Sequence, residues 1–151
     1  MQIAVRFIRF LFPAILTLFA ANVAAQETPT QAPPGVKLIE AAEVQSLQAK
    51  GAVLVDTRAS AEYGEATIKG AVSVPYNPEK SVKAVGFDPK DDKFELNKLP
   101  NKDAHIVVFC NSGTCWKSYK AAVMLAKAGY KNVYWYRNGM PDWKARKLPL
   151  D

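Results

Sequence analysis

The chain holds two cysteines, Cys110 and Cys115, and their setting decides what chemistry they could do. A short apolar run at 106–109 leads into Cys110, followed by Asn111, Ser112, Gly113 and Thr114, then by Cys115, Trp116 and Lys117 ahead of a helix-forming stretch. A strand, a tight glycine-containing loop and a helix start can aim backbone N–H groups at one point, where the helix terminus also favours negative charge. A cysteine at that focus should be depressed in pKa and act as a thiolate nucleophile. The plainer alternative is a small buried hydrophobe closing a strand, as many free cysteines are. The small polar residues after Cys110 leave room above it and favour the reactive reading.

Cys115 has two readings. It can turn into the helix interface without a redox role, or it can resolve what forms on Cys110. As a stapling disulfide the pair is a poor choice, because a very short closed loop restrains little unfolded-chain entropy. Bridging requires Cα atoms within about 7 Å. An unused thiol beside a reactive one is a liability in an oxidising compartment, which favours the redox role.

The elements that must position these residues are legible from periodicity. Residues 40–50 carry Ala41, Val44 and Leu47 at helical spacing, with Gly51 as a stop. The unbroken apolar runs at 52–55, ending at Asp56, and at 106–109, ending at Cys110, predict strands covered on both faces. Residues 71–75 predict a further short strand, and the polar stretch 77–103 predicts loops with one short helix near 79–85. A helix is expected over 118–128, a strand over 133–136 and a short helix over 140–146. Strands alternating with helices imply an α/β fold with a parallel sheet, whose chemistry gathers at the carboxyl ends of the strands. Asp56 and Cys110 both stand at such ends.

Arg6 and Arg9 precede an apolar run at 10–20 and the small residues Val23, Ala24 and Ala25. This pattern predicts a signal peptide over 1–25, cleaved after Ala25, and a periplasmic or secreted product without a stable membrane span. Residues 26–35, with Pro29, Pro33 and Pro34 among polar and small residues, are expected to form a disordered leader. One domain is expected over 36–151. The formal net charge is +6, to which Arg6 and Arg9 of the expected signal peptide contribute two. The lysines are spread rather than clustered, which argues against nucleic acid as a partner. No pattern for a metal or a cofactor is seen.

Several ordered blocks resemble the rhodanese homology domain. They are Val53-Leu54-Val55-Asp56-Thr57-Arg58, Glu62-Tyr63, Ile68-Lys69-Gly70-Ala71 and Val74-Pro75. Beyond them come the Cys110 loop and its alanine-rich helix, Gly129-Tyr130-Lys131-Asn132-Val133, and Asn138-Gly139 with Trp143. The resemblance implies a rhodanese-like α/β fold, a central parallel five-stranded sheet flanked by helices on both faces. It implies sulfurtransferase or sulfane-sulfur carrier activity through a persulfide on Cys110, with thiosulfate or another sulfane donor and a thiophilic acceptor. Cys115 is then the candidate resolving thiol. Asn111, Ser112, Gly113, Thr114, Trp116 and Lys117 are the expected substrate-contacting residues, and Asp56 and Arg58 the structural support beneath the loop.

The chain departs from the family pattern at Thr67, where many members have histidine, and at Cys115, where many have arginine. Phosphatases sharing the sheet place arginine after five intervening residues, where this chain has Trp116, so phosphatase activity is not expected. The alternatives are a dithiol redox protein cycling Cys110 and Cys115, or a non-catalytic module on the same scaffold. The expected partners are a small sulfur-containing anion or thiol and an exported redox protein.

Overall fold

The computed structural model describes residues 26–77 and 92–151. The expected signal peptide and the expected helix near 79–85 lie outside the described residues. Within them, β1 (Val36–Leu38), β2 (Val53–Asp56), β3 (Val72–Ser73), β4 (His105–Phe109) and β5 (Asn132–Tyr136) form one sheet in the order β1-β5-β4-β2-β3. Every pairing between these strands is parallel. The α/β class and the five-stranded parallel sheet are as expected.

The apolar runs of β2 and β4 are unbroken because both of their faces are covered. In β4, Ile106 and Val108 enter a core with Ala121, Ala122, Leu125 and Trp135. Alternate residues Val107 and Phe109 enter the opposite core with Val44, Tyr136, Met140 and Trp143. The period of two in a strand makes this division automatic. Helix α3 (Trp116–Lys127) supplies the first layer, and α1 (Ala41–Ala49) with α4 (Gly139–Ala145) supplies the second.

Two helices beside the loop differ from the periodicity reading. Helix α3 begins at Trp116, two residues before the expected start, because a turn from the Cys115 N–H to the Ser112 carbonyl (3.0 Å) already directs the chain into it. Helix α2 (Ser60–Glu65) carries no periodic signal: none of its residues is buried, so no apolar stripe marks it. Its start is fixed locally, with the Ala59 N–H donating to the Glu62 carboxylate at 3.2 Å.

Candidate active site

β4 ends at Phe109 and α3 begins at Trp116, so the six residues 110–115 are the whole connection between them. Cys110 and Cys115 are joined by a disulfide across this loop, with Cα atoms 6.2 Å apart. The pair is thus one unit rather than two separate thiols. Both residues are nearly closed off, at 1% and 5% exposure, so a reagent reaches them only where the loop gives way.

Four ties hold the loop in place. The backbone N–H and the hydroxyl of Thr57, just past β2, both donate to the Phe109 carbonyl, at 3.1 and 2.8 Å. The Met140 N–H donates to the Cys110 carbonyl at 2.9 Å. Gly139 has a φ of +57°, and a Cβ there would collide with the Cys110 carbonyl oxygen. Glycine is therefore required for both conformation and approach. The Asn111 amide donates to Glu62 at 2.5 Å, tying the loop to α2. Finally, the Thr28 N–H and hydroxyl donate to the Gly113 carbonyl at 2.7 and 2.6 Å.

That last tie corrects the expectation that 26–35 is a disordered leader. Thr28 is buried, the Gln26 carbonyl accepts from the Trp116 indole N–H at 2.8 Å, and Arg137 holds the same segment from the other side. Composition alone suggested disorder; these specific long-range hydrogen bonds oppose it. Residues 26–29 form a strap over the loop. Beside it, Pro29, Pro33, Trp116, Tyr119 and Tyr130 line an apolar groove of about 650 Å³.

The expected substrate-contacting residues take unequal places. Asn111 is engaged with Glu62, and the hydroxyls of Ser112 and Thr114 share a hydrogen bond of 2.8 Å. Gly113 lies against the Arg137 guanidinium, where an added Cβ would come within 2.7 Å of Cζ. Trp116 is buried in an edge-to-face row with Tyr119 and, through it, Trp135, with centroids 5.4 and 5.2 Å apart. Lys117 is buried on the first turn of α3, where its charge helps hold the Glu62 carboxyl down. Burial works against that lowering; the Asn111 and Ala59 hydrogen bonds, with Lys117 and Arg58, overcome it.

Asp56 and Arg58 form a buried ion pair at 2.6 Å. Arg58 also donates to the Ala66 carbonyl at 2.6 Å, and Thr67 donates to Asp56 at 2.8 Å. All of these partners lie on or beside β2 and α2, which makes the pair a brace for that corner. A buried pair satisfied on every side is costly to break by removing one partner. Thr67, where the sequence departs from the family, belongs to the same brace.

Sequence reasoning missed Glu62 as a loop anchor, and it missed Arg137 and the strap. Arg137 directly follows β5, at the same end of the sheet as Cys110, and that placement was the available signal. Among the described residues, no group of three or more His, Cys, Asp or Glu side chains could hold a metal ion. No helix among them is long and apolar enough to cross a membrane.

Comparison with known proteins agrees with this architecture. The rhodanese-like domain family model matches residues 40–146. A thiosulfate sulfurtransferase from Pseudomonas aeruginosa superposes with a TM-score of 0.55 at 25% identity, over 77% of this chain and 20% of the other. The human single-domain sulfurtransferase TSTD1 gives 0.54 at 24% identity, over 72% and 96%. A Bacillus halodurans protein, BH2092, gives 0.57 at 21% identity, over 76% of each. No curated protein sequence matches the chain at a significant level. A matched stretch from just before α1 to the end of α4, on a sheet that delivers a cysteine loop from β4 into α3, places this chain in the rhodanese-like domain family.

Proposed function

We propose that the protein is a sulfane-sulfur transferase whose nucleophile, Cys110, is stored as a disulfide with Cys115 and released by a dithiol reductant. The observation that carries this reading is the bridge itself, spanning the loop at the carboxyl end of β4 and the amino end of α3. The rhodanese-like family match and the likeness in fold to a thiosulfate sulfurtransferase support the sulfur chemistry.

The cycle balances as follows. A dithiol of the reductant exchanges with the disulfide, leaving two protein thiols and an oxidised reductant. The Cys110 thiolate attacks the outer sulfur of thiosulfate; the sulfur–sulfur bond of the donor breaks and sulfite leaves with its electron pair. The persulfide on Cys110 then has two fates. An external thiophile takes the outer sulfur and returns Cys110 as thiolate, or the Cys115 thiolate attacks Sγ of Cys110, expels hydrosulfide and restores the disulfide. By the second route one thiosulfate and two thiols yield sulfite, hydrosulfide, a proton and one disulfide. The α3 amino terminus favours the anionic states of Cys110 throughout. Export directed by residues 1–25 would place the protein where such a disulfide persists, with an exported dithiol protein as its reductant.

The bridge also favours a second reading, a dithiol redox protein that carries no sulfur. Intact-mass analysis of the reduced protein with thiosulfate separates the two. The Cys115→Ser protein is expected to gain one sulfur and keep it, Cys110→Ser to gain none, and the unaltered protein to return to the disulfide with release of hydrosulfide. A Cys115→Ser protein that takes up no sulfur, yet forms mixed disulfides with thiols, would replace this proposal with the redox reading.

A further inference from the structure

We infer that Arg137 recognises the anionic end of the sulfur donor, and that the strap at 26–29 occupies Arg137 in the resting protein; this deepens the proposed function and rests on it. The loop from Asn111 to Trp116 contains no cationic side chain. Lys117, the next residue, is buried and bears on the Glu62 carboxylate. Arg137 reaches the loop from the end of β5, with its guanidinium packed against Gly113, midway between the two cysteines.

The partners of that guanidinium are oxygens of the strap. Nε donates to the Thr28 hydroxyl and the Pro29 carbonyl, each at 3.1 Å. Nη2 donates to the Thr28 carbonyl at 3.0 Å and to the Glu27 carboxylate at 3.3 Å. A planar fork receiving a carboxylate and neighbouring carbonyl oxygens is equally suited to the oxygen end of a thiosulfate or of an S-sulfonated thiol. The Glu27 side chain is 72% exposed, so its pairing with Arg137 is weak and readily exchanged. A donor anion that displaces Glu27 would hold its oxygens at the loop rim, with its outer sulfur free to turn toward Cys110. The strap is thus a competing internal anion and a cover for the loop in one segment.

The test uses reduced Cys115→Ser protein, in which Cys110 is the one thiol. Its alkylation rates with iodoacetate and iodoacetamide compare an anionic with a neutral reagent at the same sulfur. Arg137→Gln is expected to lower the iodoacetate-to-iodoacetamide ratio by about threefold or more, with the iodoacetamide rate little changed. Arg137→Lys should restore part of the ratio, and Glu27→Gln should raise it. The thiosulfate concentration for half-maximal sulfur loading should rise with Arg137→Gln by more than the maximal rate falls. An unchanged ratio in Arg137→Gln overturns the assignment. If that variant fails to fold, an unchanged ratio in Glu27→Gln, an alteration at an exposed side chain, overturns it. A ratio that moves as expected without any sulfur loading from thiosulfate supports Arg137 as the anion-recognising residue and overturns the proposed function instead.

Discussion

The Glu62 carboxylate accepts on both oxygens, from the Ala59 N–H on one and the Asn111 amide on the other, so one side chain starts α2 and steadies the cysteine loop. Its folded pKa lies below the ordinary glutamate value: burial raises it, but these hydrogen bonds, Lys117 and Arg58 lower it further. A depressed carboxylate stabilises the fold above its unfolded pKa, near 4.3, and that contribution is lost as pH falls through the lower folded value. Glu62→Gln should therefore cost about 1 kcal/mol at neutral pH, discounted for solvent access, and the difference should vanish in strong acid. Urea unfolding of both proteins from pH 7 down into strong acid measures it; a gap that does not narrow as pH falls below the unfolded value would mean that shape, not charge, is what Glu62 supplies. Neither partner of this contact announced itself in the sequence. Asn111 read as a loop residue open to substrate, and Glu62 lies forty-nine residues away on a helix with no apolar stripe. Cys110 and Asp56, by contrast, were legible, because an unbroken apolar run ending in a polar or reactive residue marks a buried strand and its exit.

At the scale of elements, α4 acts on the site through its first residue. Gly139 sits in the left-handed region, against the Cys110 carbonyl that the Met140 N–H then satisfies. Gly139→Ala pays the left-handed penalty of about 1–2 kcal/mol and must also push the loop away. A loss of about 2–3 kcal/mol in chemical denaturation is expected, together with slower sulfur loading of the reduced protein. A loss below about 0.5 kcal/mol would show that the turn moves freely, and α4 would then not be a support of the loop. The strands and the three longer helices were readable because each carries its own apolar pattern. β1 was not, since three residues of intermediate and exposed side chains hold no periodicity, and it exists through its pairing with β5. The strap was unreadable for the same reason: its polar and proline-rich composition says nothing of Arg137, whose contact with Thr28 spans 109 residues of chain.

For the whole molecule, the disulfide closes so short a loop that it stores little stability. A sequence separation of five gives a chain-entropy contribution of about 2 kcal/mol, against about 4–5 for a loop of a hundred residues. Two cores on either side of the sheet carry the fold without it. Reduction is accordingly expected to lower the melting temperature by no more than about 10 °C and to leave the far-ultraviolet dichroism native. A reduced protein that unfolds at room temperature would make the bridge a staple and remove the basis for a stored nucleophile. The five-stranded order β1-β5-β4-β2-β3 has a bearing on how the chain is made. Among the described strands β1, the earliest in sequence, is seated only by β5, the latest, and the strap ahead of β1 waits for Arg137, which directly follows β5. Because parallel pairing of this kind offers no local hairpin to begin from, residues 26–38 stay uncommitted until β5 and Arg137 have emerged. From their own emergence until the strap is seated, Cys110 and Cys115, five positions apart, stand open to whatever oxidant or reductant the nascent chain meets first.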